Sequence, residues 1–210
     1  MIRSNPYRSQ AGLVHAPRKK LVLASRNQGK LAEMQSIMQG YEVYLQSEFF
    51  EEQAEETGLS CMENAILKAR FAAHRTGFPA IGDDSGLFVD ALQGAPGLYS
   101  ARFAGENATD QQNVEKLLSV MREVPEGHRQ AKYVCTMAYV RYALDPLPIC
   151  VSADWPGYIF HEQRGDQGYG YDSVFYLFRH NATVAQLPSA LKQSLSNRTV
   201  ALRELLAQID

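Results

Sequence analysis

Cysteine is scarce in this sequence, and its three copies lie far apart. Cys61, Cys135 and Cys150 form no CxxC pair, so their spacing predicts neither a zinc knuckle nor a disulfide framework. No run of apolar residues is long enough to span a bilayer. We therefore expect a cytoplasmic protein with reduced thiols and no membrane-spanning segment.

An excess of charge of one sign is also lacking. The chain has 21 Lys and Arg against 23 Asp and Glu, for a net charge of -2. Basic residues are concentrated only in MIRSNPYRSQAGLVHAPRKK, which contains no acid. This segment lacks the apolar stretch of a secretory signal, so we predict a flexible tail over 1–19; a transit peptide has a similar composition. The remaining sequence favours neither nucleic acid nor a membrane as a partner.

The 210 residues, 45% of them hydrophobic, are enough for one core-forming domain over 20–210. Predicted strands lie in KKLVLAS, YEVYL, AKYVCTMAYVRY, ICVSADWPGYIF and VFYLF. Predicted helices lie in KLAEMQSIMQG, in SCMENAILKARFAAHRTG with an apolar stripe of Met62, Ile66, Ala69 and Ala73, after Thr109, and in TVALRELLAQI. Because helices and strands alternate along the chain, the pattern predicts an α/β fold with a mixed sheet.

A turn with the sequence ASRNQGK joins the first predicted strand to the first predicted helix. Free N–H groups and the helix dipole at such a junction favour an anion. Gly29 would let the backbone approach a phosphate, Lys30 would supply a positive charge, and Asn27 would cap the helix or bind a ligand. The spacing is not that of a P-loop, and an ordinary strand–turn–helix connection is the alternative.

Two adjacent acids, Asp83 and Asp84, interrupt the apolar stretch AIGDDSGLFVDAL. Side chains alternate between the faces of a strand, so at most one of the two can share a face with an apolar core. Together with carboxylates of the acidic run EEQAEETG they could hold Mg2+, which needs one or two carboxylates, waters and substrate phosphates. The alternatives are a hairpin turn at DDSG and a solvated acidic face at 51–56.

Aromatic residues beside glycines suggest a stacking surface for a base. Tyr169 and Tyr171 lie in QGYGYDS, and Trp155 lies in DWPG. Lys192, Asn197 and Arg198 are further ligand-binding candidates. The alternatives are a loop packed on the sheet, a core tryptophan and solvated charges.

These segments, taken together, resemble the inosine triphosphate pyrophosphatase family from residue 20 to residue 206. The matching stretches are LVLASRNQGKLAEM, AEETGLSCMENAILKARFAA, AIGDDSGLFVDALQGAPGLYSARFAG, DWPGYI, GYGYDSVF and LSNRTVALRELL. The resemblance implies hydrolysis of non-standard purine nucleoside triphosphates (ITP, dITP, XTP) to the monophosphate and pyrophosphate, which keeps deaminated purines out of DNA and RNA. It also implies a long mixed β-sheet flanked by helices, two lobes around a central nucleotide-binding cleft, Mg2+ as cofactor and a homodimer.

The same resemblance implies roles for individual residues. Asp84 would accept a proton and, with Glu55, hold Mg2+, while Lys68 would face the triphosphate. Glu56 and Asp83 are supporting or alternative ligands. The residues implied to bind the substrate are Ser25, Arg26, Asn27, Gln28, Gly29, Lys30, Ser85, Tyr169, Gly170, Tyr171, Asp172, Lys192, Asn197 and Arg198.

The chain departs from the family pattern at three places. Ser25, Arg26 and Asn27 stand where Thr-Gly-Asn is usual, Ser173 stands where proline is usual, and Asn197 stands where histidine is usual. Arg26 adds bulk and charge to the phosphate turn, and Asn197 can hydrogen-bond but cannot become cationic. We expect these changes to alter substrate preference more than the reaction.

Two other functions stay open on the sequence. One is a pyrophosphatase acting on pyrimidine or modified nucleotides, and the other is a nucleotide sensor that binds without turnover. For the purine reading, Arg198 could donate to the C6 oxygen of hypoxanthine or xanthine, where adenine has an amino group. No sequence feature explains how the C2 amino group of GTP would be excluded.

Overall fold

Seven strands form one mixed sheet in the computed structural model, which describes residues 18–209. The strands are β1 (Lys19–Leu23), β2 (Tyr41–Leu45), β3 (Ala80–Val89), β4 (Gln130–Val140), β5 (Ile149–Ile159), β6 (Phe175–Leu177) and β7 (Ala182–Thr183). Their spatial order is β2-β1-β3-β4-β5-β6-β7. β1 pairs in parallel with β2 and β3, and the other neighbours pair antiparallel. The predicted α/β class with a long mixed sheet is confirmed, whereas residues 1–17 of the predicted tail lie outside the described residues.

The helices flank this sheet, and the first three begin at side-chain caps. They are α1 (Gln28–Ile37), α2 (Cys61–Thr76), α3 (Asp110–Val120), α4 (Ser189–Leu195) and α5 (Asn197–Ile209). Ser60 Oγ accepts from the N–H of Glu63 at the start of α2, and Thr109 and Gln112 form the predicted capping box of α3. Within residues 18–209, none of the helices combines the length and apolar character needed to cross a bilayer.

The buried face of α2 differs in part from the predicted stripe. Ala69 and Ala73 are buried as predicted, but Met62 is 42% exposed, and the other buried residues are Cys61, Asn64, Ala65 and Ala72. The reason is close packing, because a Cβ on Gly82 of β3 would collide with the carbonyl oxygen of Ala65. Glycine on the strand and alanine on the helix thus let α2 lie directly against β3.

Two apolar clusters divide the sheet into two lobes. The first lies between the sheet and helices α1 and α5, and includes Leu23, Ile81 and Leu202. The second lies farther along the long strands and includes Leu87 and Phe175. β3 runs from one cluster to the other, so its middle residues lie between the two lobes.

The middle of β3 explains the two adjacent acids. β3 is one continuous strand that pairs with β4 from Ala80 to Val89, so the alternative of a hairpin turn at DDSG is wrong. Ile81, Asp83, Ser85 and Leu87 alternate onto one face, with the two polar residues between the apolar clusters. Asp84 lies on the opposite face, beneath α2. The ladder to β1 ends at Ile81, so the following residues of β3 border the gap between the lobes.

Candidate active site

A cleft between the lobes, with a cavity volume of about 340 Å³, contains most of the predicted site residues. It draws them from β3, α1, α2, the 51–56 segment, the glycine-rich segment before β6 and the last two helices. The predicted residues that line it are Lys30, Glu56, Lys68, Asp83, Asp84, Ser85, Tyr169, Gly170, Tyr171, Asp172, Lys192, Asn197 and Arg198.

Asp83 is the buried anion of one face. Its Oδ1 lies 2.7 Å from Lys30 Nζ and its Oδ2 lies 3.2 Å from Arg198 Nε. Burial disfavours the charged carboxylate, but the charges of Lys30 and Arg198 outweigh burial and hold the pKa of Asp83 well below its usual range. Asp83 therefore stays ionised, and its chemical role is to hold two cations in the cleft.

Asp84 and Glu56 converge on Lys68 from the other face. Lys68 Nζ lies 2.8 Å from Asp84 Oδ1 and 2.6 Å from Glu56 Oε1, and it donates to the Asp83 carbonyl at 3.3 Å. Burial alone would lower the pKa of Lys68, but the adjacent Asp84 and Glu56 raise it above its usual value. Two carboxylate oxygens from distant parts of the chain thus meet around one positive charge.

The thiol of Cys61 also lies beside Asp84. Burial, together with the negative charge of Asp84, raises its pKa to about 12. A thiol with such a pKa is not a nucleophile at neutral pH, so Cys61 is a packing residue at this site.

An aromatic wall closes the other end of the cleft. Tyr169 is 57% exposed, and the Lys192 ammonium lies 4.9 Å from the centre of its ring. Asp172 Oδ2 accepts from Lys192 Nζ at 2.6 Å and from the Tyr169 N–H at 3.0 Å, which fixes the loop. Tyr133 and Trp155 complete the lining here, so this end offers ring faces beside polar groups.

Arg198, in the first turn of α5, links the two lobes. Besides its bond to Asp83, its Nη1 donates to Glu33 Oε2 at 3.2 Å and to the Tyr169 hydroxyl at 3.0 Å, and its Nη2 donates to Ser85 Oγ at 3.5 Å. These contacts use four of the five N–H groups of a guanidinium. Asn197 beside it is half-buried and lines the same cleft.

The predicted phosphate turn lies beyond Lys30 and forms a second cavity of about 260 Å³. Ser25, Arg26 and Asn27 line it, whereas Gln28 and Gly29 line neither cavity. Asn27 acts as the cap of α1, because its Oδ1 accepts from the N–H groups of Gly29 and Lys30. The second cavity shares Lys30, Glu56, Lys68 and Asp83 with the cleft, so the two are adjacent.

The last two glutamates of the acidic run differ in their position relative to the two cavities. Both Glu55 and Glu56 are exposed, but Glu56 lines both cavities and Glu55 lines neither. Among residues 18–209, no group of three or more His, Cys, Asp or Glu side chains has an arrangement suited to a metal ion. Any cation here would need oxygen ligands from water or substrate to complete its shell.

Among the cleft-lining residues that sequence reasoning missed, four have titratable side chains: Glu33, Arg102, Asp110 and Tyr133. Glu33 lies three residues after Lys30 on α1, a spacing that places both on one helix face and could have identified it. Arg102, whose Nη1 lies 3.7 Å from Glu56 Oε2, follows GAPGLYSA without a local signal. Asp110 accepts from the Gly170 N–H at 2.6 Å, a contact that only the fold reveals.

The fold and the cleft define an α/β protein whose site suits a polyanion that also carries a flat ring system. The sequence model of the Ham1 family matches residues 21–208, and the chain belongs to this family. It is 50% identical over 189 residues to the dITP/XTP pyrophosphatase of Photorhabdus laumondii, an alignment that covers 89% of this chain and 96% of that protein.

Other comparisons agree with this assignment. The dITP/XTP pyrophosphatase of Salmonella typhimurium is 51% identical over 189 residues, with the same coverage of 89% and 96%. A solved Ham1 protein from Coxiella burnetii is 42% identical and superposes with a TM-score of 0.85 over 91% of this chain and 98% of that one. The resemblance predicted from the sequence motifs is confirmed.

Proposed function

We infer that this chain hydrolyses non-standard purine nucleoside triphosphates, ITP, dITP and XTP, to the monophosphate and pyrophosphate. The observation that carries the inference is that the two ends of the cleft differ in chemical character. Lys30, Lys68 and Asp84 lie at one end, and Tyr169 and Trp155 lie at the other. A nucleotide likewise has a charged phosphate end and an aromatic base end. Relatives of about 50% identity are named dITP/XTP pyrophosphatases.

Asp84 is proposed as the proton acceptor for a water molecule that attacks the α-phosphorus. A carboxylate with a pKa of about 3.9 is too weak a base to deprotonate bulk water, whose pKa is about 15.7. The proton must therefore leave while the P–O bond forms, or the attacking water must be acidified. Asp84 is anchored by Lys68 at 2.8 Å. Lys30 and Lys68 are the cations that would neutralise charge on the departing pyrophosphate.

Two carboxylates on this face support the proposal of a Mg2+ site. Asp84 Oδ1 and Glu56 Oε1 both lie within 2.8 Å of the Lys68 ammonium, so two hard oxygen ligands already converge on one cationic position. We propose that Asp84 and a carboxylate of the acidic run hold the ion, with Glu55 as the ligand implied by family resemblance and Glu56 favoured by these distances. When bound, Mg2+ would neutralise phosphate charge and acidify bound water.

Glu56 and Glu55 therefore form a natural pair for a test of the metal site. We expect Glu56→Gln to raise the Mg2+ concentration needed for half-maximal activity by about tenfold or more, since removing one charged ligand weakens a site that has few protein ligands. Glu55→Gln should change this concentration less, because Glu55 lines neither cavity. The measurement is a Mg2+ titration of both variants, with Mg2+ binding followed by calorimetry. A larger effect of Glu55→Gln would instead support Glu55 as the Mg2+ ligand, as the family resemblance implies.

Recognition of the base is proposed at the aromatic end. Arg198 has one N–H group outside the four contacts described above, and such a donor would match the C6 oxygen of hypoxanthine and xanthine but oppose the amino group of adenine. An unsatisfied buried polar group costs about 1–3 kcal/mol, which corresponds to about fivefold to over a hundredfold discrimination. Asn197, half-buried beside Arg198, supplies both a donor and an acceptor for the base.

A nucleotide panel tests the proposed function. With Mg2+ present, we expect pyrophosphate from ITP, dITP and XTP at values of kcat/KM at least about tenfold above those for ATP, by the discrimination argument for Arg198. Chelation of Mg2+ should remove the activity. A preference for dUTP or dTTP would favour a pyrimidine or modified-nucleotide enzyme, and tight binding of ITP without pyrophosphate would favour a sensor.

The remaining parts of this proposal are a homodimer, a cytoplasmic location and a single enzymatic domain over 20–210. The burial of Cys61 and Cys135 is compatible with a reducing compartment.

A further inference from the structure

Asp110 lines the cleft, but the proposed mechanism gives it no role. It is the first residue of α3, and its Oδ2 accepts from the Gly170 N–H at 2.6 Å. The capping of α3 is supplied by other side chains, because Thr109 Oγ accepts from the N–H of Gln112 and the Gln112 side chain accepts from the Thr109 N–H. The carboxylate of Asp110 thus joins α3 to the glycine-rich segment before β6 (164–173).

The bond from Gly170 to Asp110 is one of two that bracket Tyr169. The N–H of Tyr169 donates to Asp172 Oδ2 at 3.0 Å, and the next N–H along the chain donates to Asp110 Oδ2. A residue has two soft backbone dihedrals, φ and ψ, so holding the peptide groups before and after Tyr169 restricts the direction in which its side chain leaves the backbone. Tyr169 is therefore held from its own segment on one side and from α3 on the other.

The backbone at Gly170 needs such a restraint. Gly170 has a φ of +61°, and glycine populates positive and negative φ about equally readily. Tyr169 is 57% exposed, so packing restrains its ring less than that of a core side chain. A bond from a second element therefore has a large part in setting where the ring lies at the aromatic end of the cleft.

We propose that Asp110 is a positioning residue for the base, which it affects by holding the ring of Tyr169 in place. This inference rests on the proposed function, in which the base is recognised at the aromatic end of the cleft. Base stacking on an aromatic side chain is a large part of affinity where it occurs, and a ring that is already ordered costs less entropy to bind against. Loss of Asp110 should therefore weaken ligands that contain a base.

Binding of a phosphate group without a base should not depend on Asp110. Lys30 and Lys68 at the charged end are held by Asp83 and Asp84 of β3, and α3 takes no part in these two ion pairs. The proposal therefore predicts that inosine monophosphate (IMP) and inorganic pyrophosphate respond differently to the loss of Asp110. A role in folding alone would affect both ligands together.

The test compares Asp110→Ala and Asp110→Asn with the unmodified chain in ITP kinetics and in calorimetric binding of IMP and pyrophosphate. We expect Asp110→Ala to weaken IMP binding and raise KM for ITP by about 5- to 30-fold, the range for one exposed hydrogen bond to a charged group. The value of kcat and the affinity for pyrophosphate should change by less than about twofold, because uniform binding is lost and not transition-state stabilisation. Asp110→Asn keeps an acceptor oxygen and should recover part of the loss.

Asp166→Ala is the matched control. Asp166 lies in the same glycine-rich segment and accepts from the side chain of the adjacent Gln167 at 3.0 Å, but it does not line the cleft. Its substitution should leave IMP binding and ITP kinetics unchanged. Exchange of the Gly170 amide hydrogen, followed by NMR, needs no substrate and should be faster in Asp110→Ala than in the unmodified chain.

Unchanged IMP affinity in Asp110→Ala, or equal losses of IMP and pyrophosphate affinity, would overturn the proposal. An unchanged exchange rate at Gly170 would also contradict it. If the unmodified chain releases no pyrophosphate from ITP, the proposed function fails, whereas weaker IMP binding together with faster Gly170 exchange in Asp110→Ala would still support the positioning role.

Discussion

Asp84→Asn is expected still to bind ITP, with a higher Mg2+ requirement because one proposed metal ligand is lost, and to lose about 100- to 10,000-fold of its turnover at saturating ITP and Mg2+, the range for removal of a general base. The amide is close in shape to the carboxylate but cannot accept the proton of the attacking water. Lys68 keeps its second carboxylate partner, Glu56 at 2.6 Å, so the local structure should persist. Pre-steady-state product formation and equilibrium binding of ITP measure the two quantities separately.

The control for this variant is Asp154→Asn. Asp154 also pairs with a lysine, Lys132 at 2.6 Å, but both side chains are 47% exposed and neither lines the cleft. It should retain full activity. Substantial turnover in Asp84→Asn would refute the role of Asp84 as proton acceptor.

Asp83→Asn, one residue away, should have a different effect and unfold the protein more easily. Asp83 is 2% exposed and neutralises Lys30 and Arg198. Removing one partner of a buried ion pair leaves uncompensated charge, at a cost of about 3–5 kcal/mol. We expect a lower midpoint of urea unfolding, with the Asp84→Asn variant as the comparison from the opposite face of the same strand.

The pH dependence of this difference follows from the lowered pKa of Asp83. In the unfolded chain an Asp titrates near about pH 3.9, whereas in the folded protein the carboxylate stays ionised to lower pH. Its contribution to stability is therefore complete above the unfolded pKa and declines as the pH falls through the folded value. The difference in the free energy of unfolding between the original chain and Asp83→Asn should therefore become smaller below about pH 4. A gap independent of pH would mean that packing, not charge, stabilises this position.

Local signals in the sequence predicted the elements that surround the site. The apolar run Leu21–Leu23 identified β1, and Ser60 and Thr109 marked the starts of α2 and α3. These features depend on residues within a few positions of one another, which is why they can be recognised without the fold. The predicted stripe of α2 was right at Ala69 and Ala73 and wrong at Met62, because the helix packs through small residues that hydrophobicity alone does not identify.

Pairings between distant residues could not be derived in the same way. Asp83 contacts Lys30, 53 residues away in the sequence, and Arg198, 115 residues away. Hydrophobic periodicity is a local property and does not indicate either contact. Family resemblance named most of the residues that line the cleft, but it did not distinguish the positions of Glu55 and Glu56. Nor did it indicate that Arg198 would already bond to Glu33 and Tyr169.

The position of water attack tests the central claim most directly. ITP hydrolysed in water enriched in a heavy isotope of oxygen can be analysed by mass spectrometry of both products. If Asp84 directs water to the α-phosphorus while the two lysines receive the departing group, the label appears in the monophosphate and the pyrophosphate is unlabelled. Label in the pyrophosphate, or a diphosphate and phosphate as products, would contradict the assigned orientation of the substrate in the cleft.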